Sequence, residues 1–364
     1  MRIAWIPAAL FIVLLLAGCT NRSFKDIDKR LYVMAIGIDR PQDSEELYRL
    51  SFKLGLPSPG TGVEQNRSIV VSQESDSLPE SIRLLKAKFD KEVDFNHTKL
   101  LIFGDSLARS DISQVVDYFV RRRDIQGIAL LAVGSPNAEQ VLKVSPKSEV
   151  FPGNSLFLSF EDNGTSSAYT VTEYLFDFFR RMYEDGLDPY MPVIEPAKDY
   201  YVINKVALFD KSKIIGILPP RETKSFKELL EQNRKMDMIV RSREEDFTMQ
   251  VDYYRRRFSF YPKDNHRMIV KVKVGGNIEQ TKEPVYDRNW ADYEQAAAHT
   301  LRDQYLKTLN QLRDWRVDPF GFGLIYKAVH YRGDADWTRW EQMYPSVEFD
   351  IRPEVRITGT GIIR

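Results

Sequence analysis

The sequence is poor in the residues that do most protein chemistry. Its 364 residues include one cysteine and four histidines. A lone cysteine excludes any disulfide within the chain, so the fold must rest on its core alone. His97, His266, His299 and His330 show no His-x-x-x-His spacing, which leaves no zinc signature. Neither sign of charge is in excess, with Lys+Arg 52 and Asp+Glu 52. The basic footprint of a nucleic-acid binder is therefore missing. Arg121-Arg122-Arg123 and Arg255-Arg256-Arg257 have acidic neighbours and read as solvated faces. Gly275-Gly276, Gly321-x-Gly323 and Gly359-x-Gly361 lack the spacing of a dinucleotide loop or P-loop. No repeat of fixed period occurs, and no second membrane-length apolar run follows Leu16.

What is present begins at the N-terminus. Arg2 precedes an uncharged run from Ile3 to Leu16, and Leu16-Ala17-Gly18-Cys19 closes it with the sole cysteine. This is the layout of a secretory signal whose end resembles the bacterial lipobox. In such lipoproteins the chain is cut between the residues equivalent to Gly18 and Cys19. The thiol carries a diacylglycerol, with palmitate among the acyl chains. Sulfur suits the alkylation because it is a soft nucleophile. Two other readings are an uncleaved membrane anchor and an ordinary cleaved signal. The anchor would be short of the roughly 20 apolar residues a span needs, and Pro7 interrupts it. Two acyl chains hold a protein at a membrane where one does so only marginally. The expectation is a body tethered by Cys19 to the outer face of a membrane.

The mature part, about 345 residues, is long for one core and implies two or three domains. Hydrophobic residues at 43% and aromatics at 12% indicate packed cores. Leu31–Asp39 reads as a buried strand, and Glu46–Leu54 alternates as its antiparallel neighbour. Pro57–Gly62 reads as a loop, and Ile69–Ser72 as a short strand. Leu78, Ile82, Leu85 and Phe89 share one helical face. Strands at Lys99–Phe103 and Ile128–Val133 alternate with helices at Asp111–Arg122 and Asn137–Leu142. The rhythm argues for a mixed α/β or α+β fold with helices on a sheet. Asp162–Ser167 is a polar loop and Thr172–Tyr183 a helix. Gly186–Pro196, with three prolines, reads as a hinge between lobes.

The second lobe is expected to open with strands at Tyr201–Phe209 and Lys213–Leu218 and a helix near Phe226–Gln232. Strand-like runs follow at Phe247–Phe260 and Met268–Ile278, then a long helix from Asp292 to Trp315 that Asp318-Pro319-Phe320-Gly321 ends. The last strand, Val347–Ile357, holds Pro353 and so belongs at an edge or bulge. Trp337 and Trp340 read as core. The divisions are a signal at 1–18, a lipidated tether at 19–30, an N-terminal α/β region at 31–190 with room for two subdomains, and a C-terminal domain at 200–364.

One stretch imitates an enzyme. Gly104-Asp105-Ser106-Leu107 follows a strand, as in the Gly-Asp-Ser-Leu esterases. Those enzymes keep an Asp-x-x-His downstream of the serine to supply the base. Here that spacing occurs only in Asp94-Phe95-Asn96-His97, upstream of the serine. The residues alone point to a lipid-anchored, non-enzymatic protein with no catalytic, metal or cofactor site.

The chain as a whole resembles the C-subunit family of spore germinant receptors, the Ger(x)C lipoproteins. The resemblance rests on Leu16–Cys19 with Ile27-Asp28 and Ile36-Gly37-Ile38-Asp39, and on Phe95–Gly104 with Ala108. It rests further on Asp117-Tyr118-Phe119 with Arg122-Arg123-Asp124, on Ala207-Leu208-Phe209 with Ile215–Leu218, and on Asp318–Gly323 with Trp340, Tyr344-Pro345 and Gly359. One departure is Thr20, where the family often has tryptophan. The resemblance implies a non-enzymatic subunit on the outer face of the spore inner membrane. Its partners would be A- and B-type membrane subunits, and its domains would stand in an open arrangement. An extracytoplasmic solute-binding lipoprotein is the alternative.

Overall fold

A computed structural model describes residues 29–55, 68–146, 152–160, 167–231, 236–241, 246–261, 264–281, 290–330, 333 and 335–360. Gly18, Cys19 and the loop at Pro57–Gly62 lie outside these residues, as does nearly all of the loop at Asp162–Ser167. The fold is a mixed α/β one in two domains, with two sheets and ten α-helices among the described residues.

The first sheet grows from β1 (Arg30–Asp39), whose antiparallel neighbours β2 (Tyr48–Gly55) and β3 (Ser68–Ser75) form a meander. The short β4 (Glu92–Asp94) pairs with the start of β1. On the other side β5 (Leu100–Gly104) and β6 (Leu130–Gly134) run parallel to β1. Both read as continuous apolar pentapeptides, Leu-Leu-Ile-Phe-Gly and Leu-Leu-Ala-Val-Gly, and every residue is buried. Strands covered on two faces have this composition.

Helices α1 (Leu78–Lys86), α3 (Ser113–Arg121) and α6 (Leu175–Tyr183) cover one face through Ile82, Leu85, Val116, Phe119 and Phe178. The four-residue α2 (Asp105–Ala108) follows β5. Helices α4 (Ala138–Lys143) and α5 (Pro152–Leu158) cover the other face through Val141, Leu142 and Leu156. Ser77 caps α1, its side chain accepting from the Glu80 amide. The helix stops before Phe89, which packs on the core from the following loop.

The hinge expected at Gly186–Pro196 is corrected. Tyr190–Pro196 is strand β7, parallel to β6 and antiparallel to β8 (Tyr201–Asp210), which in turn pairs with β9 (Lys213–Leu218). The first sheet therefore continues across 190–200 to residue 218. Prolines suit β7 because β6 meets it at only two positions, Val133↔Val193 and Gly134↔Ile194. A strand with so short a ladder on one side has little need of donors there.

The second sheet is built on a long hairpin, β11 (Asp246–Tyr261) and β12 (Asp264–Thr281), with β10 (Met236–Arg241) antiparallel on one edge and β13 (Glu348–Gly359) parallel on the other. Pro353 sits on that edge strand, opposite Val272. Helix α7 (Pro220–Leu230) leads in, and α8 (Trp290–Asp314) lays Tyr293, Leu301, Tyr305 and Leu309 on the sheet. The helix ends within a residue of the expected Trp315, but Asp318–Gly321 is not what ends it. Arg316 takes the left-handed turn at φ 59, and Val317 N–H bonds back to Leu312. Asp318–Gly321 instead starts α9 (Phe322–His330), which precedes α10 (Ala335–Met343). Gly321 has φ +73, the left-handed conformation expected of it.

Candidate functional site

The enzyme-like stretch comes apart in space. Ser106 is exposed on α2, beside an Asp105–Arg109 ion pair at 2.8 Å. His97 lies at the other end of β5, its ring edge-on to Tyr32 at 4.7 Å. A five-residue strand separates them by roughly 16 Å at about 3.3 Å per residue, whereas a base must lie about 3 Å from its nucleophile. Ser106→Ala is expected to move stability by no more than about 0.5 kcal/mol. A thermal unfolding midpoint well below that of the wild type would overturn that. The other histidines sit on separate elements: His266 on β12, His299 on α8 and His330 on α9. No group of three or more candidate ligands able to hold a metal occurs among the described residues.

The structure instead gathers Asp39, Gly104, Asp318 and Gly323, all in stretches that carry the family resemblance, into two buried cradles. The first closes around Asp39 at the end of β1. Its Oδ1 accepts from the Ala138 amide at 2.8 Å and its Oδ2 from Glu139 at 2.9 Å, so one carboxylate caps α4. An anionic group suits the positive end of a helix. Burial still pushes the Asp39 carboxyl above its ordinary range, against the pull of those amides. Space here depends on missing side chains. A Cβ on Gly104 would lie 1.9 Å from Asp39 Oδ1, and one on Gly134 would lie 2.9 Å from Ala138 Cα. The far end of α4 is tied by Lys53, whose Nζ donates to the carbonyls of Leu142 at 3.0 Å and Val144 at 2.7 Å. Burial lowers the Lys53 ammonium to about 8.

The second cradle joins the two domains. Asp318 Oδ1 accepts from Phe322 N–H at 2.9 Å and its Oδ2 from Gly323 N–H at 2.7 Å, which caps α9. Its backbone is locked to the turn before β7. Asp188 N–H donates to Asp318 O at 2.9 Å, and Asp318 N–H donates to Asp188 Oδ2 at 2.7 Å. Arg181 Nη1 on α6 donates to Pro319 O at 3.0 Å, and Tyr344 donates to Val317 O at 2.7 Å. Gly186, at φ +69, and Gly323 let the backbones touch: a Cβ on Gly323 would lie 2.7 Å from Gly186 Cα and 2.7 Å from Trp340 Nε1. Trp340 is 3% exposed, so this tryptophan is core rather than a pocket wall.

Burial raises Asp318 to about 7, and it raises Asp188 despite Lys211 at 3.2 Å. An apolar cluster of Tyr190, Leu208, Leu218, Phe226, Leu312 and Val317 completes the joint. Sequence reasoning found Asp318 but missed Gly186, Asp188 and Arg181. The turn they form carries no periodic signal, and only their distant partners give them meaning.

Beside the joint lies a groove of about 440 Å³ between α7, β10 and α8. Charges of both signs line it. Lys307 pairs with Glu222 at 2.5 Å, and Lys224 donates to the Asp237 carbonyl. Glu228 lies at depth and accepts from the Tyr305 hydroxyl at 3.0 Å, which is 3.2 Å from that of Tyr254. Burial lifts Glu228 to about 7. No histidine or cysteine is among the residues that line the groove, and what it offers is ion pairing and hydrogen bonding.

Comparison with known proteins covers nearly the whole chain. Residues 23–196 match the family model described as the spore germination protein N-terminal domain. Residues 204–361 match the model described as spore germination B3/GerAC like, C-terminal. Among relatives, spore germination protein KC of Bacillus subtilis is 21% identical, with 97% of this chain and 94% of that protein covered. Spore germination protein GerQC of Bacillus cereus is 20% identical, over 98% of this chain and 99% of that protein. The crystal structure of the GerBC protein superposes with a TM-score of 0.59 at 15% identity, covering 89% of this chain and 96% of that one.

Proposed function

This chain belongs to the C-subunit family of spore germinant receptors, and from that premise we propose that it is the lipid-anchored subunit of a nutrient germinant receptor. The carrying observation is the pairing of a sole cysteine, placed at the end of a signal sequence, with a body matched by both family domains. Cys19 bears the diacylglycerol, and the chain is cut after Gly18. The folded body sits on the outer face of the spore inner membrane beside A- and B-type membrane subunits. No helix among the described residues is long and apolar enough to cross a membrane. The buried cradles fit a subunit that holds a shape for its partners rather than one that turns over a substrate.

Cys19→Ala tests the anchor. Each buried methylene contributes about 0.8 kcal/mol to membrane affinity, so loss of the acyl chains is expected to move the protein from the membrane to the soluble fraction. Retention that survives a detergent-free salt wash would point to the N-terminal apolar run as the anchor, and retention that the wash removes to docking on partners. Capture of the tagged protein from solubilised spore membranes tests the complex. Recovery without A- and B-type subunits would count against the receptor reading. The groove supports a second reading, a solute-binding lipoprotein. Calorimetry of the mature chain against amino acids and sugars separates the two, because only the solute-binding protein takes up a nutrient unaided.

A further inference from the structure

Three large apolar side chains stand in solvent at one end of the first sheet: Ile128 is 59% exposed, Phe176 51% and Tyr174 39%. Single exposed hydrophobics are ordinary, but these three are neighbours. Tyr174 bridges Leu130, and Phe176 N–H bonds to Gly127 O at 3.0 Å, beside Ile128. The Tyr174 and Phe176 rings stack at 5.9 Å with planes 13° apart. Arg121 and Arg123, both exposed, lie on the segment that leads to Ile128, and the Arg121 side chain is 81% accessible. Its partner Asp117 is on the preceding turn of α3, and Asp124 is taken by Arg122.

The sheet fixes where this cluster lies relative to the N-terminus. β1, β5 and β6 are parallel, with Ala35 opposite Leu100 and Leu100 opposite Leu130. Ile128 therefore lies just before β6, on the end from which β1 starts. Ile128 is level with about residue 33, and β1 begins at Arg30, about 10 Å further out in the same direction at roughly 3.3 Å per residue. Between Arg30 and Cys19 the chain can span at most about 40 Å. If the opposite end of the sheet faced the membrane, the tether would have to run back along β1, about 30 Å, close to its full extension. A slack tether and an aromatic end thus favour the same orientation.

We propose that Ile128, Tyr174 and Phe176 enter the lipid interface of the membrane to which Cys19 tethers the chain, as a second contact beside the acyl anchor. The inference rests on the lipid-anchor reading. A tyrosine, with an apolar ring and a polar hydroxyl, is placed best at the headgroup level, and the wholly apolar Ile128 and Phe176 side chains gain by leaving water beside it. Arginines beside them are drawn to the negative surface of an anionic leaflet.

The full lipidated chain tests it in phosphatidylcholine vesicles containing phosphatidylglycerol. Lipidation consumes the Cys19 thiol, so Ile128→Cys provides a unique site for an environment-sensitive fluorophore. Phe176→Cys is the second labelled position, should the first disturb folding. Ser106→Cys, at the far end of β5, is the reference. At 128 and 176 a blue shift of emission and strong quenching by spin-labelled lipid are expected, and at 106 neither. A probe at 128 or 176 that behaves like the one at 106 on a vesicle-bound chain overturns the inference and leaves the anchor intact. Loss of the chain from vesicles overturns both. Protection that needs A- and B-type subunits assigns the cluster to a protein contact and overturns the lipid one.

Discussion

Asp318→Asn is expected to destabilise the protein by an amount that depends on pH. The amide can accept one of the two N–H groups at 2.9 and 2.7 Å, and its own NH₂ must face the other. A buried donor left unpaired costs about 1–3 kcal/mol. The pH dependence comes from burial, which raises the carboxyl from 3.8 to about 7 in the folded state. The folded chain then holds a proton that the unfolded chain has released. Stability from this group is complete below about pH 4 and is lost as pH rises through 7. Each pH unit in that window is worth about 1.36 kcal/mol, so the whole effect is on the order of 4 kcal/mol. The asparagine variant lacks it. The gap between wild type and variant should widen as pH falls from 8 to 5, while buried carboxyls remote from Asp318 cancel in the difference. Urea unfolding of both chains at four pH values measures it. A gap independent of pH would mean that the two amides keep Asp318 ionised throughout.

The second large effect is expected at Gly104. Its backbone, at φ −61 and ψ 146, suits any residue, so only space requires glycine. A methyl group 1.9 Å from Asp39 Oδ1 must expel that carboxylate, which frees the amides of Ala138 and Glu139. Hydrogen bonds to a charged group contribute about 1.5–3 kcal/mol each, and Gly104→Ala should cost about 3–5 kcal/mol. In an Asp39→Ala background the same substitution should cost less than about 1 kcal/mol, because contacting residues couple. An equal cost in both backgrounds would show that the steric conflict with Asp39 is not the cause.

These two sites show what the sequence could and could not reveal. Strands with clean alternation, such as Tyr48–Leu54, and apolar pentapeptides such as Leu100–Gly104 were legible because their pattern is local. β7 was not, because its prolines carry the signal of a loop while its burial is set by strands elsewhere in the chain. β10 alternates buried and exposed over only six residues within a polar stretch and was passed over. α9 and α10 were also missed. Asp39 and Ala138 lie 99 residues apart, so the reason for glycine at 104 appears only when the fold brings them together. Ser106 shows the converse: a local motif without its distant partner has no chemistry.

The parallel pairing of β12 with β13 bears on the order in which the chain can fold. Met268 pairs with Phe349, and the intervening connection contains α8, α9 and α10. Closing a loop of about 80 residues must precede any gain from that ladder, which makes such pairings slow. Until the last strand is available to pair, β12 is an open edge presenting Met268, Val270, Val272 and Val274. An unpaired apolar edge is a template for association between chains. Truncation before Glu348 should therefore yield a protein that aggregates during assembly rather than a shorter one that functions, and the C-terminal strand acts as the step that closes this edge in each newly made molecule.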